Sequence, residues 1–416
     1  MHIVSSKWMW LVLPVNLALG PLGTLVTLEI ISRGGNSLEV GLVMTLGNLV
    51  QIPAAMIWGL MSDRFDRKWV ALTSFGLTGT LMTLFPYARG LSALAALYPA
   101  VIFFSVGYGT PFNLLIMETC EKRKWAGEFS RMSMLAALGV VVGLVISSAA
   151  VLFVKVDVLL QILSASMLAS FAAGVRLIPR SRIHLERVAI VHFKESFITR
   201  LKILPLFFLH PPDPHHFKMF RLSRLTRKPV NFVPLLYIGI SLFYLSASIF
   251  YTVYPVALEE RGLNDSEVLG VIALATGIQA LIYMKTGDLV DRLTEQKTAV
   301  LSLSLRGVSQ ILMALIINWL TGFPVLVLNL LLNSLASGIG FPLFNTASNT
   351  LIFKVVGERS HGRGLGVYST LTGVALFTGS LASGYLAHFT GYLTTFSIAG
   401  LLLLASSAIF RYLEEG

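Results

Sequence analysis

Gly59-Leu60-Met61-Ser62-Asp63-Arg64 and Gly287-Asp288-Leu289-Val290-Asp291-Arg292 are one motif, G-x-x-x-D-R, written twice. Each copy closes a long apolar run and opens a short charged loop. Two fainter echoes keep the same order. Gly107-Tyr108-Gly109-Thr110-Pro111 and Gly338-Ile339-Gly340-Phe341-Pro342 both read G-x-G-x-P, and Ser37 to Gly41 and Ser266 to Gly270 both read S-x-x-x-G. Three matched signals in one order indicate a duplicated unit, and a repeat constrains architecture before any other feature.

The chain around these motifs has 416 residues, 55% hydrophobic and 13% charged. Soluble domains carry about 25% charged residues, so most of this chain has no water to face. Apolar runs of about 20 residues recur, the length that crosses a bilayer core. They are continuous rather than alternating, so they read as helices, one of the two structures that lipid permits. Twelve spans are expected, near 8–31, 38–61, 69–87, 92–117, 131–153 and 158–178, then 232–258, 266–285, 298–320, 323–353, 363–388 and 391–412. The first is too long for a signal-peptide core. The expected organisation is an N-terminal six-helix bundle over 1–178, a basic linker over 179–231 and a C-terminal six-helix bundle over 232–416.

The formal charge of +11 is unevenly placed. With the first crossing starting inside, only Arg33, Arg89, Lys155 and Arg261 of the 32 Lys and Arg face outside. Arg306 falls within a span, and the rest gather on the inner side. That asymmetry is the positive-inside pattern and puts both termini in the cytoplasm of a cell (plasma) membrane protein. It argues against nucleic acid as a partner, which would want a basic soluble face. The single cysteine, Cys120, excludes an intrachain disulfide and reads as a small apolar filler. The linker mixes Arg and Lys with Ile190, Val191, Phe193, Phe197, Leu201, Leu206 and Phe207, a pattern for a helix lying on the inner surface. Pro211, Pro212 and Pro214 end any such helix. His210, His215 and His216 make a small group without metal-ligand spacing, so no metal and no cofactor are expected.

The doubled loop resembles the signature loop of the major facilitator superfamily. The first copy stands as Gly59, Asp63, Arg64, Arg67 and Lys68 between the second and third spans. The weaker copy, Gly287, Asp291, Arg292 and Lys297, falls between the eighth and ninth spans. Glu358-Arg359 and Arg363-Gly364, before the eleventh span, also look like family loop residues. The resemblance implies an all-α membrane protein, twelve transmembrane helices in two six-helix pseudo-symmetric bundles, monomeric by family default. It implies a gate as well. Asp63 would meet the positive end of the eleventh helix, which begins near Arg363, Gly59 would let two helices approach, and the basic residues would add ion pairs. Asp66 departs from the pattern, standing where the family commonly has glycine, so a strained or differently turned loop is expected there.

In this family the first, fourth, seventh and tenth helices surround the central cavity. Their polar residues are the candidate substrate contacts: Asn16, Thr24 and Thr27 on the first, and Asn329 and Asn333 on the tenth. Tyr237, Tyr244 and Tyr251 recur every seven residues on the seventh and share a face. The G-x-G-x-P signals sit in the fourth and tenth helices, where glycine and proline favour a bend.

Ionisable residues within spans are few: Glu29, Glu118, Lys285 and Arg306. Arg306 is deepest, and on the peripheral ninth helix it is expected to form a structural ion pair. No acid sits at mid-depth, and Glu29 is the candidate for proton coupling. The fifth span reads Gly139-Val140-Val141-Val142-Gly143 and lacks the following glycine-proline pair common in drug–proton antiporters of this family. The expected function is a secondary or facilitative transporter of a small neutral, zwitterionic or apolar solute. A solute sensor without flux, or a membrane enzyme, is the alternative. The enzyme reading lacks a convergent nucleophile, base or metal group, and no G-x-x-x-x-G-K-[ST] loop supports ATP-driven pumping.

Overall fold

Lipid offers no hydrogen bonds to a backbone, so an apolar run must satisfy its own by coiling. The computed structural model describes residues 6–120, 125–180, 232–356 and 361–415, and no strand forms among them. Ten separate spans are Lys7–Ser32, Ser37–Arg64, Arg67–Tyr87, Leu91–Thr119, Glu128–Ala150, Val156–Leu177, Val233–Glu260, Asp265–Tyr283, Glu295–Trp319 and Phe323–Ile352. A further apolar stretch, Thr370–Leu413, has 44 residues. At 1.5 Å per residue that is about 66 Å, twice a bilayer core. It breaks at Gly391, whose φ of 81° is non-helical, and so supplies the eleventh and twelfth spans. The architecture is twelve helices in two six-helix bundles, as the sequence predicts. The linker from 181 to 231, with its apolar residues, prolines and histidines, lies outside the described residues.

The loops sort onto two faces. On one, Arg33 donates to the carbonyl of Ala88, and Gly322 N–H donates to Arg261 O at 2.7 Å. This far face gathers the turns after the odd-numbered spans. Arg33, Arg89 and Lys155, three of the four cations expected outside, line one cavity there with Glu29, Asp157 and Asp265. The opposite face carries both G-x-x-x-D-R loops and the two ends that the linker joins.

Helices start where caps exist. Asn36 accepts from Leu38 and Glu39 N–H while Glu39 returns a bond to Asn36 N–H at 2.8 Å. Asn264 and Glu267 repeat that capping box in the second half. Each box satisfies N–H groups that a helix start leaves orphaned. Glycines then set the packing. Gly139 and Gly143 bring the fifth span against the backbone of Leu13 and Leu17 on the first.

Hydrogen bonds that cross between the halves lie toward the far face. Thr45 donates to Ser380 at 3.1 Å, and Asn48 reaches Ser380 at 3.2 Å. Ser148 donates to the carbonyl of Ser266 at 2.8 Å. Gly41 and Gly384 touch so closely that a methyl on Gly41 would lie 2.5 Å from Gly384 Cα. Both S-x-x-x-G echoes therefore sit at contacts between the halves.

Candidate functional site

The first loop is anchored within its own half. Asp66 takes φ −56° and ψ 119° and accepts from Lys68 N–H at 3.0 Å, capping the third helix. It is not left-handed, so of the two outcomes expected at this position the loop shows the different turn and not the strain. Thr294 holds the equivalent place in the second loop and does take a positive φ, 73°. Arg67 is buried and paired with Glu118 at the end of the fourth span. Lys68 Nζ donates to Val175 O at 2.6 Å, at the end of the sixth. Asp63 and Arg64 are exposed. A methyl on Gly59 would meet nothing within 4 Å among the described residues; the side chains at the start of the eleventh helix, where its expected partner begins, lie outside them. The side chains of Gly287, Asp291 and Arg363 lie outside the described residues, while Arg292 and Lys297 are exposed.

Between the halves lies a cavity of about 360 Å³. The N-terminal half contributes Thr24, Thr27 and Asn48, and the C-terminal half Tyr244, Tyr251 and Phe341. Of the candidate substrate contacts, Thr24, Thr27, Tyr244 and Tyr251 line this cavity. Asn48, on the second span, escaped sequence reasoning, which looked only at the family's four central helices. No acidic side chain lines this cavity among the described residues.

The three candidate asparagines are not among its lining residues. Asn329 is fully buried, accepts from Tyr254 OH at 3.0 Å and donates to Val325 O at 2.9 Å. Asn333 is 1% exposed and accepts from Tyr251 OH at 3.4 Å, so it sits one bond behind the wall. Asn16 donates to Tyr108 OH at 3.1 Å and to Val12 O at 2.8 Å. Each amide is occupied by a neighbour, as buried polar groups must be. Glu29 lies near the far face, paired with Arg33 at 2.5 Å, away from this cavity.

Arg306 corrects an expectation. It makes no ion pair among the described residues. Its side chain is fully buried, and all three guanidinium nitrogens lack a hydrogen-bond partner. Its Cζ lies 4.9 Å from the ring centre of Phe243, 5.5 Å from Phe341 and 5.8 Å from Tyr251. The ninth span turns this residue toward the seventh and tenth, where no carboxylate stands and aromatic faces do. A desolvated cation–π contact contributes up to about 2 kcal/mol, against a desolvation cost of several kcal/mol for a buried ion.

Both G-x-G-x-P signals mark a change of helix type. Val106–Tyr108 is a 3₁₀ turn, and Ser334–Gly340 is a π-helix. A methyl on Gly340 would lie 2.6 Å from Arg306 Cγ, so the bare glycine lets the arginine stem pass.

The chain matches the sequence model of the Major Facilitator Superfamily over residues 9–346 and 236–415. No curated protein matches it significantly. Among solved structures it is similar to the nucleoside transporter NupG, with a TM-score of 0.71 at 13% identity over 99% of this chain and all of that one. It is equally similar to a POT family transporter in complex with 5-aminolevulinic acid, with a TM-score of 0.71 at 12% identity over 97% and 94% of the two chains. A POT family transporter in complex with a thioalcohol-conjugated peptide gives 0.68 at 14% identity over 98% and 95%. At such identities the likeness is one of fold, and with the family match it supports membrane transport. With its doubled loop, its twelve spans and its shared cavity, the chain belongs to the major facilitator superfamily.

Proposed function

We propose that this protein is a secondary or facilitative transporter, rather than an enzyme, that moves a small solute by alternating access of two six-helix halves, 1–178 and 232–416. The observation that carries this reading is the cavity walled by both halves, lying beneath the contacts that Gly41, Thr45 and Asn48 make toward the far face. A solute there is shielded on one side, and rocking the halves about it would shield the other. Aromatic rings, hydroxyls and one amide line the space, a surface that suits neutral, zwitterionic or apolar molecules. The positive-inside asymmetry supports a cytoplasmic linker face and cytoplasmic termini, and the membrane in this reading is that of the cell.

The gate follows from the same geometry. Asp63 is exposed in this conformation and available to the start of the eleventh helix when the linker face closes. Gly59, Arg64, Arg67, Lys68 and Arg363 would form that closed seam, with Gly287, Asp291 and Arg292 as its weaker counterpart. In proteoliposomes loaded for counterflow across neutral and zwitterionic solutes, Asp63→Asn should slow exchange about tenfold, the effect of ~1.4 kcal/mol. Exchange at the wild-type rate would remove the gate. Saturable binding without flux in the wild type would make the protein a sensor.

In this reading proton coupling runs through Glu29, whose protonation would release Arg33. A pH gradient should then drive accumulation in the wild type and fail to do so in Glu29→Gln. Accumulation unchanged by that substitution eliminates the role.

A further inference from the structure

We propose that Arg306 is an anion-recognising residue of the central cavity, and that the solute carries an oxyanion, carboxylate or phosphate, on an apolar or aromatic body. This rests on the transport reading above and narrows it: of the neutral, zwitterionic and apolar classes only the zwitterion remains, and a simple monoanion joins it. Three observations converge. The guanidinium is fully buried with every nitrogen unpartnered among the described residues. Two of the three rings it faces, Tyr251 and Phe341, are themselves walls of the cavity. And one turn along the same face of the ninth span, Gln310 also buries an unpartnered Nε2, while its Oε1 accepts from Ser246 at 3.2 Å. A planar fork of donors matches an oxyanion in a way that no aromatic face does.

The wall between fork and cavity is built to move. Phe341 follows directly on the π-helix Ser334–Gly340, a loosened geometry common at functional sites. Tyr251 is held by one long hydrogen bond, 3.4 Å, to Asn333. Gly340 leaves room for the arginine stem. Turning either ring aside exposes the guanidinium to a solute in the cavity. No carboxylate among the described lining residues competes for it.

The test uses purified full-length protein in detergent and reads thermal unfolding against benzoate, phenyl phosphate and the neutral isostere benzamide. At least one anion should raise the midpoint saturably, with an apparent affinity tenfold or more above that of benzamide. Which anion does so separates carboxylate from phosphate recognition. Arg306→Lys should weaken that response, and Arg306→Gln should abolish it. Where these variants fail to fold, phenylglyoxal labelling of the wild type with peptide mass spectrometry decides. The stabilising anion should slow modification of Arg306 and leave exposed Arg176 unaffected. Equal responses to acid and amide, an anion response that survives Arg306→Gln, or no protection of Arg306 would overturn the assignment. An anion that binds through Arg306 but shows no flux in proteoliposomes leaves the assignment standing and sinks the transport reading. Flux of a neutral solute at full rate in Arg306→Gln does the reverse.

Discussion

Asp66 and Thr294 occupy equivalent places in the two loop motifs and turn the chain in different ways. Asp66 stays in ordinary backbone space because its carboxylate caps the third helix. Thr294 takes φ 73° and ψ 154°, the one positive φ of a non-glycine residue among those described. That region belongs almost wholly to glycine, and a β-branched side chain there costs on the order of 1–3 kcal/mol. Thr294→Gly should therefore raise stability by about 1 kcal/mol, less than the full relief because glycine also loosens the unfolded chain. Thermal unfolding in detergent reads this directly, and a lower midpoint would show that the threonine is not strained. The sequence revealed the departure from glycine at Asp66 but not how it resolves, because a carboxylate next to a helix start either caps it or adopts a left-handed turn. Arg306 was legible in the same partial way. Its depth follows from counting along the ninth span, but its neighbours come from two other spans, and only the packing shows that they are rings and not acids.

The two G-x-G-x-P elements show how far a motif carries at the next scale. Both copies mark a departure from α-geometry, as glycine and proline in a helix predict. One tightens to a 3₁₀ turn and the other widens to a π-helix. A different side chain crosses each glycine. A methyl on Gly107 would lie 2.6 Å from the ring of Trp58, and one on Gly340 would lie 2.6 Å from the stem of Arg306. Those partners sit 49 and 34 residues upstream in the chain, beyond any local pattern. The duplicated capping boxes at Asn36 and Asn264 were, by contrast, readable as N-x-x-E at matching places, a signal the repeat search passed over. Gly107→Ala and Gly340→Ala should each cost about 1–3 kcal/mol by overpacking. Gly109→Ala, where a methyl meets nothing within 4 Å, should instead stabilise by about 0.5–1 kcal/mol, the helix preference of alanine over glycine. Equal effects at all three positions would mean that glycine serves backbone flexibility there and not the passage of side chains.

At the scale of the whole molecule, the duplication and the helix count were legible because lipid leaves a chain so few options. The conformation was not, because in the proposed cycle one sequence encodes both end states, and such states differ by about a few kcal/mol. The structure shows the halves joined through Gly41 and Gly384 near the far face, while near the linker face no described residue comes within 4 Å of a methyl built on Gly59. These two glycines are on the same helix, the second span, and should act in opposite directions. Gly41→Val inserts bulk where backbone already meets backbone, so it should force the far-face seam apart. Gly59→Val meets no described residue in the present conformation and would obstruct closure of the linker face. Asn48, which lines the cavity, reports the balance when replaced by cysteine, once the native Cys120 is changed to serine. A membrane-impermeant thiol reagent added from the far side should label Asn48→Cys faster in the Gly41→Val background and more slowly in the Gly59→Val background. Added from the linker side, the order should invert. Equal labelling in both backgrounds would mean that the halves do not rock about the second span, and the alternating cycle would have to be sought in local movement of single helices.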